Sequence, residues 1–197
     1  MGRAMPAVSE GPCGWCLGLE EVREDGFTLI ELLVVLLIIG ILLAIAIPTF
    51  LSVTKTANNT AAQANLQTAL TGADTYYTSN NQTYAGLYGG TGVSTITAID
   101  TGLTYVSGSA TTKSNTISVN TGGSGSWTVL AAYAPGTKDC WIIVDQKVAQ
   151  AAGANIAGTH SSATGTYYGV IKNGAAACTA ASGLAGMNFQ TTGFPTG

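Results

Sequence analysis

A chain of 197 residues has the length of one domain with at most an appendage. Only 9% of its residues are charged, and the formal net charge of −3 arises entirely before residue 27: five Lys and five acidic residues cancel over the rest. No basic stripe of the kind that tracks a phosphate backbone is present, so no specific nucleic-acid partner is evident.

Residues 1–26 are acidic, with Arg3 and Arg23 against Glu10, Glu20, Glu21, Glu24 and Asp25. They include G-P-C-G-W-C, which places Cys13 and Cys16 in a C-x-x-C. Such a pair reads as a redox motif or half of a zinc site, but no βαβ pattern surrounds it and no second Cys/His pair lies nearby. A start codon assigned too far upstream would also produce an appendage of this length.

Residues 24–51 read E-D-G-F-T-L-I-E-L-L-V-V-L-L-I-I-G-I-L-L-A-I-A-I-P-T-F-L. From residue 32 to 47 nothing polar interrupts the run. As a helix rising ~1.5 Å per residue, residues 27–51 span about 37 Å, enough to cross a hydrocarbon core of about 30 Å. A core helix of a soluble domain has no reason to be apolar on every face for that length. Glu31 is the informative exception, since a carboxylate costs about 2.5–3.5 kcal/mol at the centre of a membrane span and less near its end. Either Glu31 reaches the headgroup layer from one turn inside the helix, or it has a function there. Gly40 and Pro48 mark a weak segment. In a soluble helix interior Gly costs about 1 kcal/mol and Pro about 3 kcal/mol, although a bilayer helix tolerates both as a mild kink.

The string G-F-T-L-I-E at residues 26–31, followed by the apolar run, closely resembles the processing site and anchor of type IV prepilins and type II secretion pseudopilins. The matched block covers about a seventh of the chain. The resemblance implies that residues 1–26 are a leader removed by a prepilin peptidase, which cuts after Gly26 and methylates the new N-terminus at Phe27. It implies that residues 27–51 anchor the precursor in the cell membrane and later form the filament core. Residues 52–197 would then be an extracellular globular domain. Glu31 would pair with the N-terminal ammonium of a neighbouring pilin subunit, and an assembly platform with its ATPase would drive polymerisation. In related pili the stretch equivalent to 40–48 loses helicity in the filament. The leader departs from the family in being long and acidic, so orientation rests on the resemblance rather than on charge asymmetry.

The helix is expected to continue over residues 52–79. Leu66, Leu70, Ala73 and Tyr77, with Ala62 and Ala69 alongside, form an apolar stripe of helical period suited to lie on a sheet. Coiled coil competes, but too few heptads are apolar at both required positions. A break is expected at Ser79-Asn80-Asn81. Residues 82–102 read as a Gly- and Thr-rich connection, and the sheet should occupy about 103–172. Strand candidates are 103–106, 116–119, 127–133, 140–144 and 166–171, with A-P-G-T-K at 134–138 a hairpin signal. A short helix is expected at 147–157. Residues 174–197 should lie as a loop on the sheet, anchored by Phe189 and Phe194. The fold class expected is α+β: one long N-terminal helix on an antiparallel sheet of about three or four strands.

Cys140 and Cys178 are the only cysteines after residue 16. An even pair in an exported domain suggests a disulfide, with two buried free thiols as the alternative. Catalysis finds no support: His160 sits in a G-T-H-S-S loop, and no nucleophile motif, P-loop or cofactor motif is present. Asp139 and Asp145 are too far apart on one strand to make a Ca²⁺ loop, so no metal site is assigned. The resulting reading is a structural pilus subunit. A type II secretion pseudopilin or a competence or minor pilin is the alternative within the family. A static membrane-anchored adhesion module is the rival from another class.

Overall fold

The computed structural model describes residues 26–89, 95–122, 124–149, 163–172, 178–180 and 189–195. Cys13, Cys16, His160 and most of the expected 147–157 helix lie outside these residues. Residues 147–149, which lie inside them, are not helical.

One helix, α1 (Leu29–Ser79), is followed by a single turn, α2 (Ile96–Ile99), and five strands: β1 (Thr104–Ser107), β2 (Thr116–Thr121), β3 (Trp127–Ala134), β4 (Asp139–Gln146) and β5 (Gly165–Ile171). The strands lie in sequence order across one sheet. β2 to β5 form the expected antiparallel meander, but β1 pairs parallel with β2, Thr104 opposite Thr116 and Ser107 opposite Val119. The sheet is therefore mixed, and its five strands exceed the expected three or four. Parallel neighbours normally need a crossover of a dozen residues or more. Here residues 108–115 suffice because β1 is only four residues long.

The described residues fall into two units, divided between Ala44 and Ile45. In the second, the core is organised by the pleat of β4, whose eight residues are all buried. Alternate side chains point to opposite faces. Trp141 and Ile143 join the cluster that includes Leu66, Leu70, Ala73 and Tyr76 of α1. Cys140, Ile142 and Val144 join Val129, Ala131, Tyr167, Cys178 and Ala180 on the other face. The helix stripe is buried as expected, except that Tyr76 is inside and Tyr77 only partly so. Residues 82–102 are more than a connection: Tyr84, Leu87 and Ile96 have no exposed surface and pack in the helix-side core.

The helix ends where the Asn pair predicts. Asn81 adopts φ 52°, and the N–H of Gln82 donates to the carbonyl of Tyr77 at 3.0 Å, the six-residue closure of a Schellman motif. Gly125, at φ +68°, allows the chain to return beneath this end. A Cβ there would stand 1.9 Å from Thr83 Oγ1 and 2.5 Å from the Ala85 nitrogen, so only glycine fits.

On the sheet face away from α1, residues 178–180 are held by backbone and side-chain bonds. The Thr111 N–H donates to the Cys178 carbonyl at 2.9 Å, and the Ala180 N–H donates to Ser118 Oγ at 3.0 Å. The Cys140–Cys178 disulfide closes this segment onto β4. Phe194 meets Trp141 and Tyr168 edge-on, with ring centroids 5.5 and 5.0 Å apart, and Phe189 packs on the opposite cluster. Both aromatics are anchors, as the sequence suggests.

The polar centre of this unit is a five-residue network. Asp145 is 1% exposed and lies on the helix-facing parity of β4. Its carboxylate accepts from Thr166 Oγ1 at 2.9 Å and from the Tyr84 hydroxyl, which also contacts Asp74 Oδ1 at 3.0 Å. A phenol has one proton for two carboxylates. The Lys147 ammonium supplies the balance, 2.8 Å from Asp74 Oδ1 and 3.0 Å from Asp145 Oδ2. Burial pulls its pKa down, but hydrogen bonds to both carboxylates outweigh this and leave it above the ordinary lysine value. Burial, reinforced by the Asp145 carboxylate, also raises the pKa of Tyr84.

Replacing both Cys140 and Cys178 by Ala should cost about 4 kcal/mol, the chain-entropy value for closing a loop of this length. Urea unfolding of the full chain, followed by tryptophan fluorescence, measures it. Lys147→Met should cost about 2 kcal/mol. That is less than the roughly 3–5 kcal/mol of a fully buried pair, because Lys147 and Asp74 keep 30% and 45% of their side-chain exposure. A raised lysine pKa stabilises fully below the unfolded value of about 10.4 and ceases to do so as pH rises through the folded value. The stability gap between parent and Lys147→Met should therefore narrow in alkali above that pH; a constant gap would show that charge is not its origin.

Candidate functional site

The start of α1 gathers Gly26, Phe27 and Glu31. Residues 26–28 are not helical, and Phe27 is 89% exposed, so the Gly26–Phe27 peptide bond lies in exposed backbone without regular structure just before the first helical turn. No atom lies within 4 Å of the position a Cβ would take at Gly26. Packing among the described residues therefore does not demand glycine there.

Thr28 and Glu31 form a capping box. The Thr28 N–H donates to Glu31 Oε2 at 2.9 Å and the Thr28 hydroxyl donates to the same oxygen at 2.7 Å. In return the Glu31 N–H donates to Thr28 Oγ1 at 3.3 Å. The arrangement satisfies donors that the first turn of any helix leaves without an intrahelical partner. The signal for it, T-x-x-E before an apolar run, is present in the sequence at residues 28–31 but was not read as a cap. All the bonds to the carboxylate fall on Oε2, so Oε1 takes no part in the cap.

Beyond this start the helix is apolar on every face. Residues 26–57 are exposed, including Ile30 at 68% and Phe50 at 71%. By length and composition it is a helix that could cross a membrane, the single one among the described residues. Gly40 and Pro48 interrupt neither its backbone assignment nor its trans geometry. Pro48 removes the N–H that would serve the Ala44 carbonyl, and the Thr49 hydroxyl donates to the next carbonyl, Ile45, at 3.1 Å. At Gly40, as at Gly26, a Cβ would meet nothing within 4 Å.

The remaining chemistry-bearing residues do not converge on this start. Cys140 and Cys178 are bonded to each other, Asp145 is committed to Lys147, and no three His, Cys, Asp or Glu side chains cluster among the described residues.

Comparison with known proteins identifies this same segment. Residues 23–47 match the family described as the prokaryotic N-terminal methylation motif. The type IV narrow pilus major component PilA5 of Thermus thermophilus is 60% identical over 37 residues, which are 19% of this chain and 32% of that protein. The type IV wide pilus major component PilA4 of the same organism is 46% identical over 59 residues, 30% of this chain and 45% of that protein. The chain thus matches less than half the length of either relative. No solved structure matches it. Through its N-terminal region the chain is a homologue of type IV pilins and carries their methylation motif.

Proposed function

We propose that this type IV pilin homologue is a filament subunit whose precursor is cut after Gly26 by a prepilin peptidase and N-methylated at Phe27. The precursor waits in the membrane through residues 27–51. The assembly platform and its ATPase then add it to a growing filament with its helix inward and residues 52–197 on the outside. The observation that carries this reading is the open Gly26–Phe27 bond immediately before a capped helix start and a helix apolar on all sides.

The glycine is consistent with processing because its missing side chain answers no packing need among the described residues. The need then lies with a protein that closes around the bond. Cleavage would create an ammonium at Phe27, four residues before Glu31. Glu31 can hold its own helix start with Oε2 and still offer Oε1 to the ammonium of the neighbouring subunit. In apolar surroundings such a pair is tolerated, whereas separating it leaves two costly charges, about 3–5 kcal/mol when fully buried. A subunit one step out of register would carry that penalty, so the pair acts as a register device. The segment from Gly40 to Pro48, already short of one backbone donor, is where the helix would yield during packing.

Mass spectrometry of filaments should find a chain starting at N-methyl-Phe27; a leader retained in filaments would overturn the reading. Gly26→Val should leave the precursor uncut. Glu31→Ala should be inserted and cut yet fail to yield normal filaments by electron microscopy, and wild-type filament numbers from it would exclude the charge pair.

A further inference from the structure

The five lysines that follow residue 26 are not evenly spread. Lys55, Lys138 and Lys172 line one cavity of about 520 Å³, shared with the carboxylate of Asp139. Three elements bring them together. Lys55 comes from α1 and Lys138 from the turn between β3 and β4. Lys172 follows β5, placed beside Asp139 by the pairing of Cys140 with Ile171. The walls are fixed. At Gly136 the turn backbone lies so close to the helix that a Cβ would stand 3.0 Å from Lys55 Cα and 2.9 Å from Asn58 Nδ2. The Thr137 hydroxyl and the Trp141 indole N–H both donate to Asn59 Oδ1, at 2.8 and 3.1 Å. This fixes the Asn59 amide, with its oxygen turned to Thr137 and Trp141. Lys138 holds φ 61°, a left-handed conformation that Gly or Asn adopts at less cost. Among the described residues the cavity is thus lined by three lysines against one carboxylate.

We propose that this cleft binds the phosphate of an anionic phospholipid headgroup while the precursor is held in the membrane. The inference rests on the reading of residues 27–51 as a membrane anchor. Lys55 lies four residues, or about 6 Å of helix rise, beyond Leu51, the last residue of that apolar stretch. Ile47, Phe50, Leu51 and Val53 just before it are 55–71% exposed. The cleft therefore opens about one helical turn past the apolar collar, the depth at which headgroup phosphates lie. Lysines near a bilayer surface are attracted to anionic lipid, and an ammonium binds phosphate as a point charge. The compact volume suits one headgroup rather than a polyanion, which needs a stripe of cations along its length.

Native mass spectrometry of the full-length chain in detergent, with its disulfide intact, tests the assignment. Phosphatidylglycerol should be retained in preference to phosphatidylcholine. Lys55→Gln/Lys138→Gln/Lys172→Gln should weaken that retention about tenfold or more, while Lys113→Gln, outside the cleft, should not. Equal retention of the two lipids, or a triple variant that holds phosphatidylglycerol like the parent, overturns the proposal. Inorganic phosphate bound through the same lysines as tightly as phosphatidylglycerol would make the ligand a free oxyanion instead. Preferential, lysine-dependent binding of an oligothymidylate would make it a nucleic acid. Both outcomes overturn the lipid assignment. A filament subunit found with residues 1–26 still attached would defeat the processing reading but leave these binding results standing.

Discussion

The burial of β4 on both faces is the constraint on which the globular unit depends. A strand buried on one side needs a single covering layer; one with all eight residues buried needs two. Tyr76, Leu66 and their neighbours on α1 supply the first layer, and Cys178 with Ala180 the second. The disulfide follows from this arrangement. The covering residues 178–180 are tied covalently to the strand they cover through Cys178. The same logic explains why Asp145 can be buried near the end of β4. Its parity aims it at α1, where Tyr84 and Lys147 can reach it.

Much of this was legible in the sequence because the signals are local. The apolar run and the 3.6-residue stripe gave α1, the Asn pair gave its end, and A-P-G-T-K gave the β3–β4 hairpin. The cysteine pair and the two C-terminal aromatics were also visible. What escaped the reading is non-local. No periodicity distinguishes a parallel from an antiparallel neighbour in a four-residue edge strand, so the direction of β1 was hidden. Tyr84, Leu87 and Ile96 sit among glycines and threonines without any spacing, yet each fills the core to zero exposure. The Lys147 network joins Asp74, Tyr84 and Asp145, residues up to about seventy positions apart, through contacts that only the tertiary fold creates. At the candidate site the six residues 26–31 were recognisable as a motif, but the division of labour between the two oxygens of Glu31 required coordinates.

The helix also changes its surface chemistry along its length. Over residues 29–51 it offers almost nothing but hydrocarbon. From there to Ser79 its outward face is largely Thr, Asn and Gln, residues of weak helical propensity that stay helical because the inward stripe is packed. This change in composition is what lets one element be apolar on all sides at one end and form the core of a domain at the other.

The hydroxyls on that outward face look after themselves. Thr54, Thr56, Thr60, Thr68, Thr71 and Thr75 each donate to the carbonyl one turn earlier, at 2.8–3.3 Å. Their protons are already placed, and what they present outward is chiefly the γ-methyl group. The face that reads as hydrophilic in composition is thus partly dry in practice. Water can wet it, and another protein surface can cover it without stranding a donor. Such a face can pass from solvent into a protein contact with little desolvation penalty for these hydroxyls, and it exposes no greasy surface beforehand.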